Sequence, residues 1–247
     1  MEDYHILECD QVSTPTPINN IRKYEQKEDA ICKLITGSGT GFFCQTIIKN
    51  YIIKFLFTCN HVLDQSKIQI VSTIQLLHKG TIKNIEITNN RFVCTNEELD
   101  YTCIEIFDNE KFEKYFIIDH DINCENSLEQ YKYDSIVIMQ CPGNKDVSVA
   151  EGGIKDIENN LNIIHSVSTD NDSSGSPIIL SNRNLNIIGI HQGNINQKNK
   201  GVYFKIVLED LEKQYFSNIN FIGTYDYEGK IFENCSLELD KKINEKR

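Results

Sequence analysis

A serine ringed by small residues, in Asp170-Asn171-Asp172-Ser173-Ser174-Gly175-Ser176-Pro177, is the first place where residue types and spacing suggest covalent chemistry. A nucleophilic hydroxyl needs such neighbours, which leave room for a substrate carbonyl and let backbone N–H groups face the developing oxyanion. Pro177 sets the exit, and an apolar run then leads to Gly189-Ile190-His191-Gln192-Gly193. The chemistry in prospect is acyl transfer. Clusters of Ser, Gly and Asp also build ordinary turns, and turn chemistry explains this segment equally well when it is taken alone.

A base and an orienting acid stand upstream. His61 follows Thr58-Cys59-Asn60, just past an alternating run that reads as the second strand of a hairpin hinged at Lys49-Asn50. Before the hairpin lies Gly37-Ser38-Gly39-Thr40-Gly41, an approach suited to backbone that passes close to another group. Asp100 opens the apolar run Tyr101-Thr102-Cys103-Ile104, where a half-buried carboxylate can orient an imidazole. The bland alternatives are a structural histidine and, after Glu97 and Glu98, a solvated acidic turn.

The chain order His61, Asp100, Ser174, with Thr-x-x-His and Ser-Ser-Gly-Ser-Pro around the first and last, resembles the chymotrypsin-like serine proteases. Cys141-Pro142-Gly143 is similar to the opening of that family's second barrel, and Ser-Gly-Ser-Pro with Gly-Ile-His-x-Gly looks most like the glutamyl endopeptidase branch and intracellular trypsin-like peptidases. The likeness spans roughly residues 28–216. It implies an all-β fold of two six-stranded barrels with a C-terminal helix. Ser174 would be the nucleophile, His61 the general base and Asp100 its orienting acid. The N–H groups of Asp172 and Ser174 would form the oxyanion hole, Thr169 and His191 would line a pocket for Glu, Asp or Gln, and His191-Gln192-Gly193 would pair with substrate backbone. No metal or organic cofactor is implied, and the partner is a peptide or protein substrate.

Two positions depart from the family pattern. Asp172 stands where the family has Gly, placing a carboxylate beside the oxyanion, and Ser173 replaces the Asp that grips a new N-terminus after proteolytic activation. A pseudoprotease, the same fold used as a peptide-binding or scaffolding module, is therefore the competing reading. A chaperone-like protease of the high-temperature-requirement type is disfavoured, since no recognisable PDZ domain follows.

These residues need a scaffold. Short alternating runs at Phe42–Ile48, Ile52–Thr58, Ile68–Ile74, Ile82–Ile87, Arg91–Cys94 and Thr102–Phe107 suit a first barrel over residues 29–118. A second series, Ser135–Gln140, Ser148–Ala150, Leu161–Val167, Pro177–Leu180, Leu185–Ile190 and Gly201–Lys205, suits a second over 119–216, beginning with a polar connector. Phe204, Val207, Leu208, Leu211 and Tyr215 recur at helical spacing. Residues 1–28 read as an arm and 217–247 as an extension in which Phe221-Ile222-Gly223-Thr224-Tyr225 offers a further strand.

Composition excludes several classes. The 247 residues carry a net charge of −11, which opposes a nucleic-acid partner, and hold no long apolar stretch for a membrane. The acidic start lacks the form of a secretory signal, and the nine cysteines show no paired C-x-x-C spacing. The expectation is a cytoplasmic protein with reduced, mostly buried thiols. A disulfide between Cys44 and Cys59 is the lesser alternative, and a zinc site the least, since Cys59 and His61 are the only close Cys/His pair. The oligomeric state is not encoded legibly.

Overall fold

The computed structural model describes residues 18–48, 51–124, 127–143, 146–195 and 198–224, with only the backbone described for 18–21, 128 and 218–224. Contacts divide the chain into two units, Met1–Leu208 and Glu209–Arg247. Among the described residues the first holds fourteen strands.

Its described residues open on a helix, α1 (Ile18–Glu28), within the segment read from sequence as an arm. The helix is anchored by Tyr24, which is 4% exposed and donates its hydroxyl to Glu151 Oε1 at 2.5 Å. The strands β1 (Ile31–Leu34), β2 (Gly39–Ile48), β3 (Tyr51–Thr58), β4 (Thr73–His78), β5 (Thr81–Glu86), β6 (Val93–Asn96), β7 (Tyr101–Glu105) and β8 (Phe116–Ile117) form one sheet. Its order is β5-β4-β1-β2-β3-β7-β6, with β8 parallel to β2. Among the described residues this sheet curves without closing, so the first β layer is a half-barrel of eight strands rather than a closed six.

The alternation that marks strands in sequence matches burial in β4, where Ile74, Leu76 and His78 face inward and Thr73, Gln75 and Leu77 outward. The run Ile68–Ile74 is mostly not a strand. Asp64 Oδ1 accepts from the backbone of Ser66 (2.9 Å) and Lys67 (3.2 Å), coiling the chain into turns, and Val71 sits at φ 73° with its side chain exposed. The hinge Lys49-Asn50 lies outside the described residues, but the pairing Ile48↔Tyr51 shows the hairpin.

The second series closes. The strands β9 (Ser135–Gln140), β10 (Ser148–Glu158), β11 (Asn162–His165), β12 (Pro177–Leu180), β13 (Ile187–Ile195) and β14 (Lys198–Tyr203) form a barrel in the order β10-β11-β14-β13-β12-β9. The polar connector carries a 3-10 turn, His120–Asn123, and α2 (Ser127–Tyr131). Asp119, 1% exposed, ties it down, accepting from Tyr131 Oη (2.6 Å) and Asn186 Nδ2 (3.3 Å).

An aromatic core joins the half-barrel to the start of α3 (Phe204–Thr224): Phe42 and Phe57 stack at 5.7 Å, and Phe204 meets Phe57 edge-on at 5.0 Å. The second unit is described only over 209–224, which continues α3 and contains the bond from Gln214 Nε2 to Asp210 Oδ2 (2.8 Å). The helix therefore takes in Phe221 to Thr224, where a strand was an alternative, and residues 225–247 lie outside the description. No helix among the described residues is long and apolar enough to cross a membrane.

The described cysteines are free thiols: Cys32, Cys44, Cys59, Cys94, Cys103 and Cys141 buried, Cys124 exposed. Cys44 and Cys59 are not bonded. Cys44 pairs in register with Phe55, while Cys59 donates its thiol to the His191 carbonyl (3.3 Å).

Candidate active site

β3 ends at Thr58, and the Cys59 carbonyl accepts from the N–H groups of Val62 (3.2 Å) and Leu63 (3.1 Å). That single turn buries Val62 and Leu63 and leaves His61 facing outward, its side chain 50% exposed. β7 lies antiparallel to β3 with Thr58 opposite Thr102, and Thr102 Oγ1 donates to the Leu63 carbonyl (2.6 Å), so the turns before β7 and after β3 meet. Asp100, at φ 51°, turns its carboxylate back onto His61. Oδ1 accepts the His61 N–H (3.0 Å), and both carboxylate oxygens stand 2.9 Å from Nδ1. A carboxylate can only accept here, so Nδ1 carries the proton and Nε2 presents a lone pair, the form a general base requires. Asp100 is engaged rather than a solvated turn residue.

Ser174 is presented by two interlocked turns. Ser173 N–H donates to the Asp170 carbonyl, and the Ser176 N–H and hydroxyl both donate to the Ser173 carbonyl (3.2 and 2.6 Å). Ser173 and Ser176 are 1% and 0% exposed, and these bonds make them structural. Gly175, at φ 90°, presses onto the β2–β3 sheet: a Cβ there would lie 2.2 Å from the Thr40 carbonyl oxygen and 2.3 Å from Thr58 Oγ1. The Thr40 N–H donates to the Ser174 carbonyl (2.9 Å), and Gly39 is kept small by Val62, whose methyls a Cβ would meet at 2.7 Å. The glycine-rich approach thus makes room for the protein itself. Ser174 Oγ donates to the Gln192 carbonyl at 3.0 Å, and no hydrogen bond joins it to the His61 ring.

Asp172 sits at φ 66°, a conformation more natural to Gly. The carbonyls on either side of it are taken: Asn171 O accepts from Gly143 N–H (2.9 Å), and Asp172 O accepts from Thr40 Oγ1 (2.9 Å). Thr40 Oγ1 in turn accepts from Cys141 N–H (2.9 Å). The N–H groups of Asp172 and Ser174 donate to no protein group among the described residues.

The expected pocket residues are brought together, but with their polar atoms largely committed. Thr169 Oγ1 donates to Asn199 Oδ1 (3.2 Å), whose amide Nδ2 donates to the Val167 carbonyl (2.7 Å). His191 is 1% exposed. Gln192 Nε2 donates to the Leu99 carbonyl (3.1 Å), bracing the turn that carries Asp100. β13 runs past Pro177, where β12 begins opposite Ile190; His191 still bonds the backbone of Ser176 and Gly175, and Gly193 at φ 133° lies in the overhang beyond.

Sequence reasoning gives His165 a structural role in a strand near the site and assigns it no chemistry. It lies on β11, with Nε2 3.1 Å from His191 Nδ1. Burial is the main cause that pushes His165 down to about 3 and His191 down to about 4, so both rings are neutral near pH 7. His165 Nδ1 is buried without a partner. An unpartnered N–H costs more than an unused lone pair, so the proton sits on His165 Nε2 and is donated to His191 Nδ1. His191 Nε2 then carries a proton. A lone histidine in an apolar strand gave no sign of this pairing.

Beside His61 opens a cleft of about 770 Å³ lined by Asn60, Asp64, Gln65, Thr95, Glu97 and Asp100. Cys59, His61 and Asp100 place ligand-type atoms within 4.8 Å of one another. Three donors with Nδ1 already bonded to the carboxylate fall short of the four that a structural zinc site uses.

Neither a protein-family profile nor a curated protein sequence matches the chain. Solved structures do. A serine endoprotease from Yersinia pestis superposes with a TM-score of 0.57 at 14% identity, covering 82% of this chain and 68% of that one. A human pathogenic astrovirus serine protease gives 0.50 at 18%, covering 72% and 90%. The serine protease domain of the Sesbania mosaic virus polyprotein gives 0.50 at 20%, covering 74% and 92%. At such identities the likeness is one of fold: this chain has the two-part β architecture of chymotrypsin-like serine proteases, with a C-terminal helix.

Proposed function

We propose that the chain is a serine endopeptidase acting on peptide or protein substrates through His61, Asp100 and Ser174. The observation that carries this is the His61–Asp100 pair, with Nδ1 2.9 Å from the carboxylate, beside a serine presented on a turn that only glycine can complete. In this reading Ser174 Oγ leaves the Gln192 carbonyl and donates to His61 Nε2 once substrate is bound. The Ser174 oxygen then attacks the scissile carbonyl carbon while its proton passes to Nε2. The carbonyl oxygen becomes an oxyanion facing the N–H groups of Asp172 and Ser174, each donor worth about 3–4 kcal/mol in comparable acyl transfer. Collapse breaks the C–N bond, the leaving amine takes the proton from His61, and water, deprotonated by the same ring, cleaves the acyl-enzyme. These steps need no metal or organic cofactor.

For specificity, neutral His191 with a proton on Nε2 is a donor suited to a carboxylate or amide oxygen, which supports Glu, Asp or Gln before the scissile bond. His165 would hold that tautomer. The overhang of β13 at Gln192 and Gly193 suits pairing with substrate backbone. The buried free thiols accord with a reducing, cytoplasmic setting.

A second reading is the pseudoprotease. The bond from Ser174 Oγ to the Gln192 carbonyl and the carboxylate of Asp172 at the oxyanion turn favour it. Fluorophosphonate labelling separates the two. Labelling lost in both Ser174→Ala and His61→Ala supports the peptidase; an unlabelled wild type supports the binding module.

A further inference from the structure

Asp172 places a negative charge beside the N–H groups assigned to the oxyanion, where it would oppose the charge developing in the transition state. A lysine stands opposite. Lys33 lies in β1, its side chain only 15% exposed, with Nζ 4.0 Å from Asp172 Oδ2. The same ammonium donates to the Gly143 carbonyl, which anchors it. A mostly buried ammonium is costly without an acceptor and a counter-charge; the Gly143 loop supplies the first and the Asp172 turn the second.

The placement follows from strand register. Lys33 and Thr40 are cross-strand partners in the β1–β2 pairing. Thr40 reaches the Asp172 carbonyl and the Cys141 N–H, while Lys33 reaches the Asp172 carboxylate and the Gly143 carbonyl. One register pair in the half-barrel therefore grips the same two loops of the closed barrel at adjacent points. Thr40 holds the backbone of the turn, and Lys33 holds its charge.

We propose that Lys33 is a positioning residue that draws the Asp172 carboxylate aside and neutralises it, allowing an aspartate to occupy the left-handed position of the oxyanion turn. The proposal rests on the peptidase reading of Ser174 and the Asp172 N–H. It makes Lys33 and Asp172 a coupled pair: either both are present or neither is needed.

The test is a double-mutant cycle on the full chain, reading kcat and KM for a peptide substrate and the labelling rate with a fluorophosphonate. Lys33→Met is expected to lower kcat roughly tenfold to a hundredfold with KM within about twofold, because the defect appears only as charge develops. Lys33→Arg should retain most activity. In the Asp172→Gly background, Lys33→Met should cost less than about threefold. Lys33→Gln carries the same expectation as Lys33→Met and serves where Met disturbs folding. An equal loss in both backgrounds, a loss confined to KM, or an arginine variant as impaired as the methionine one at unchanged melting temperature overturns the role of Lys33, while the peptidase reading stands. A wild type and Asp172→Gly that both fail to label at Ser174 overturn the two together.

Discussion

The Nε2 of His165 and the Nδ1 of His191 lie 3.1 Å apart, joining two buried rings on β11 and β13, the strands that flank β14 in the closed barrel. Each ring is held neutral by burial, which for His191 outweighs the opposing pull of the Lys200 backbone. The contact orients both rings, and their burial makes charging either of them costly in acid.

The sign follows from the depressed values. An unfolded histidine titrates near 6.5, whereas His191 and His165 titrate near 4 and 3 in the folded protein. Between these limits the unfolded chain binds protons that the folded one refuses, so stability is full above about pH 6.5 and falls as the pH drops toward 4. The expected loss is on the order of 3 kcal/mol for His191. His191→Leu and His165→Leu should flatten melting temperature against pH over that interval, whatever they do to its absolute value. An unchanged slope would refute the assignment.

Asp100→Asn should leave folding and KM nearly unchanged. It should lower kcat by about four orders of magnitude, because an amide cannot enforce the Nδ1–H tautomer of His61. Steady-state hydrolysis of a peptide library substrate is the measurement; a loss under tenfold removes Asp100 from the mechanism.

Gly175→Ala drives a methyl to 2.2 Å from the Thr40 carbonyl at a φ that alanine disfavours. The turn must lift off the β2–β3 sheet, at an expected cost of about 3 kcal/mol or more in denaturant unfolding, with loss of fluorophosphonate labelling. A variant that unfolds and labels like wild type would show that the close contact is not needed.

Among the described thiols, only Cys124 should react with iodoacetamide in the native protein. Cys32, Cys44, Cys59 and Cys141 are buried, and burial pushes each thiol upward, away from the reactive thiolate. Peptide mapping after brief alkylation checks this, and modification of Cys59 without unfolding would contradict the packing around the site.

The sequence by itself determined the class of the fold, the two series of strands, the start of α3 and the chain order of His61, Asp100 and Ser174. Alternation of apolar residues is a local record, since neighbouring side chains on a strand face opposite sides, as in β4; β9 and β12 were legible to the residue for another reason, as short unbroken apolar runs that the barrel buries almost entirely. The record fails where the signal is weak or the backbone turns back on itself, as at Ile68–Val71, in α1 and in the polar second half of β10. Tertiary structure alone decided that the first sheet stays open, that Ser174 Oγ rests on Gln192, that His165 meets His191, and that Lys33 faces Asp172. These contacts join positions 18 to 139 residues apart, and nothing in the periodicity of either segment encodes its partner. They arise from register: a shift of one residue in the β1–β2 pairing would turn Lys33 and Thr40 to opposite faces and leave the oxyanion turn without its supports.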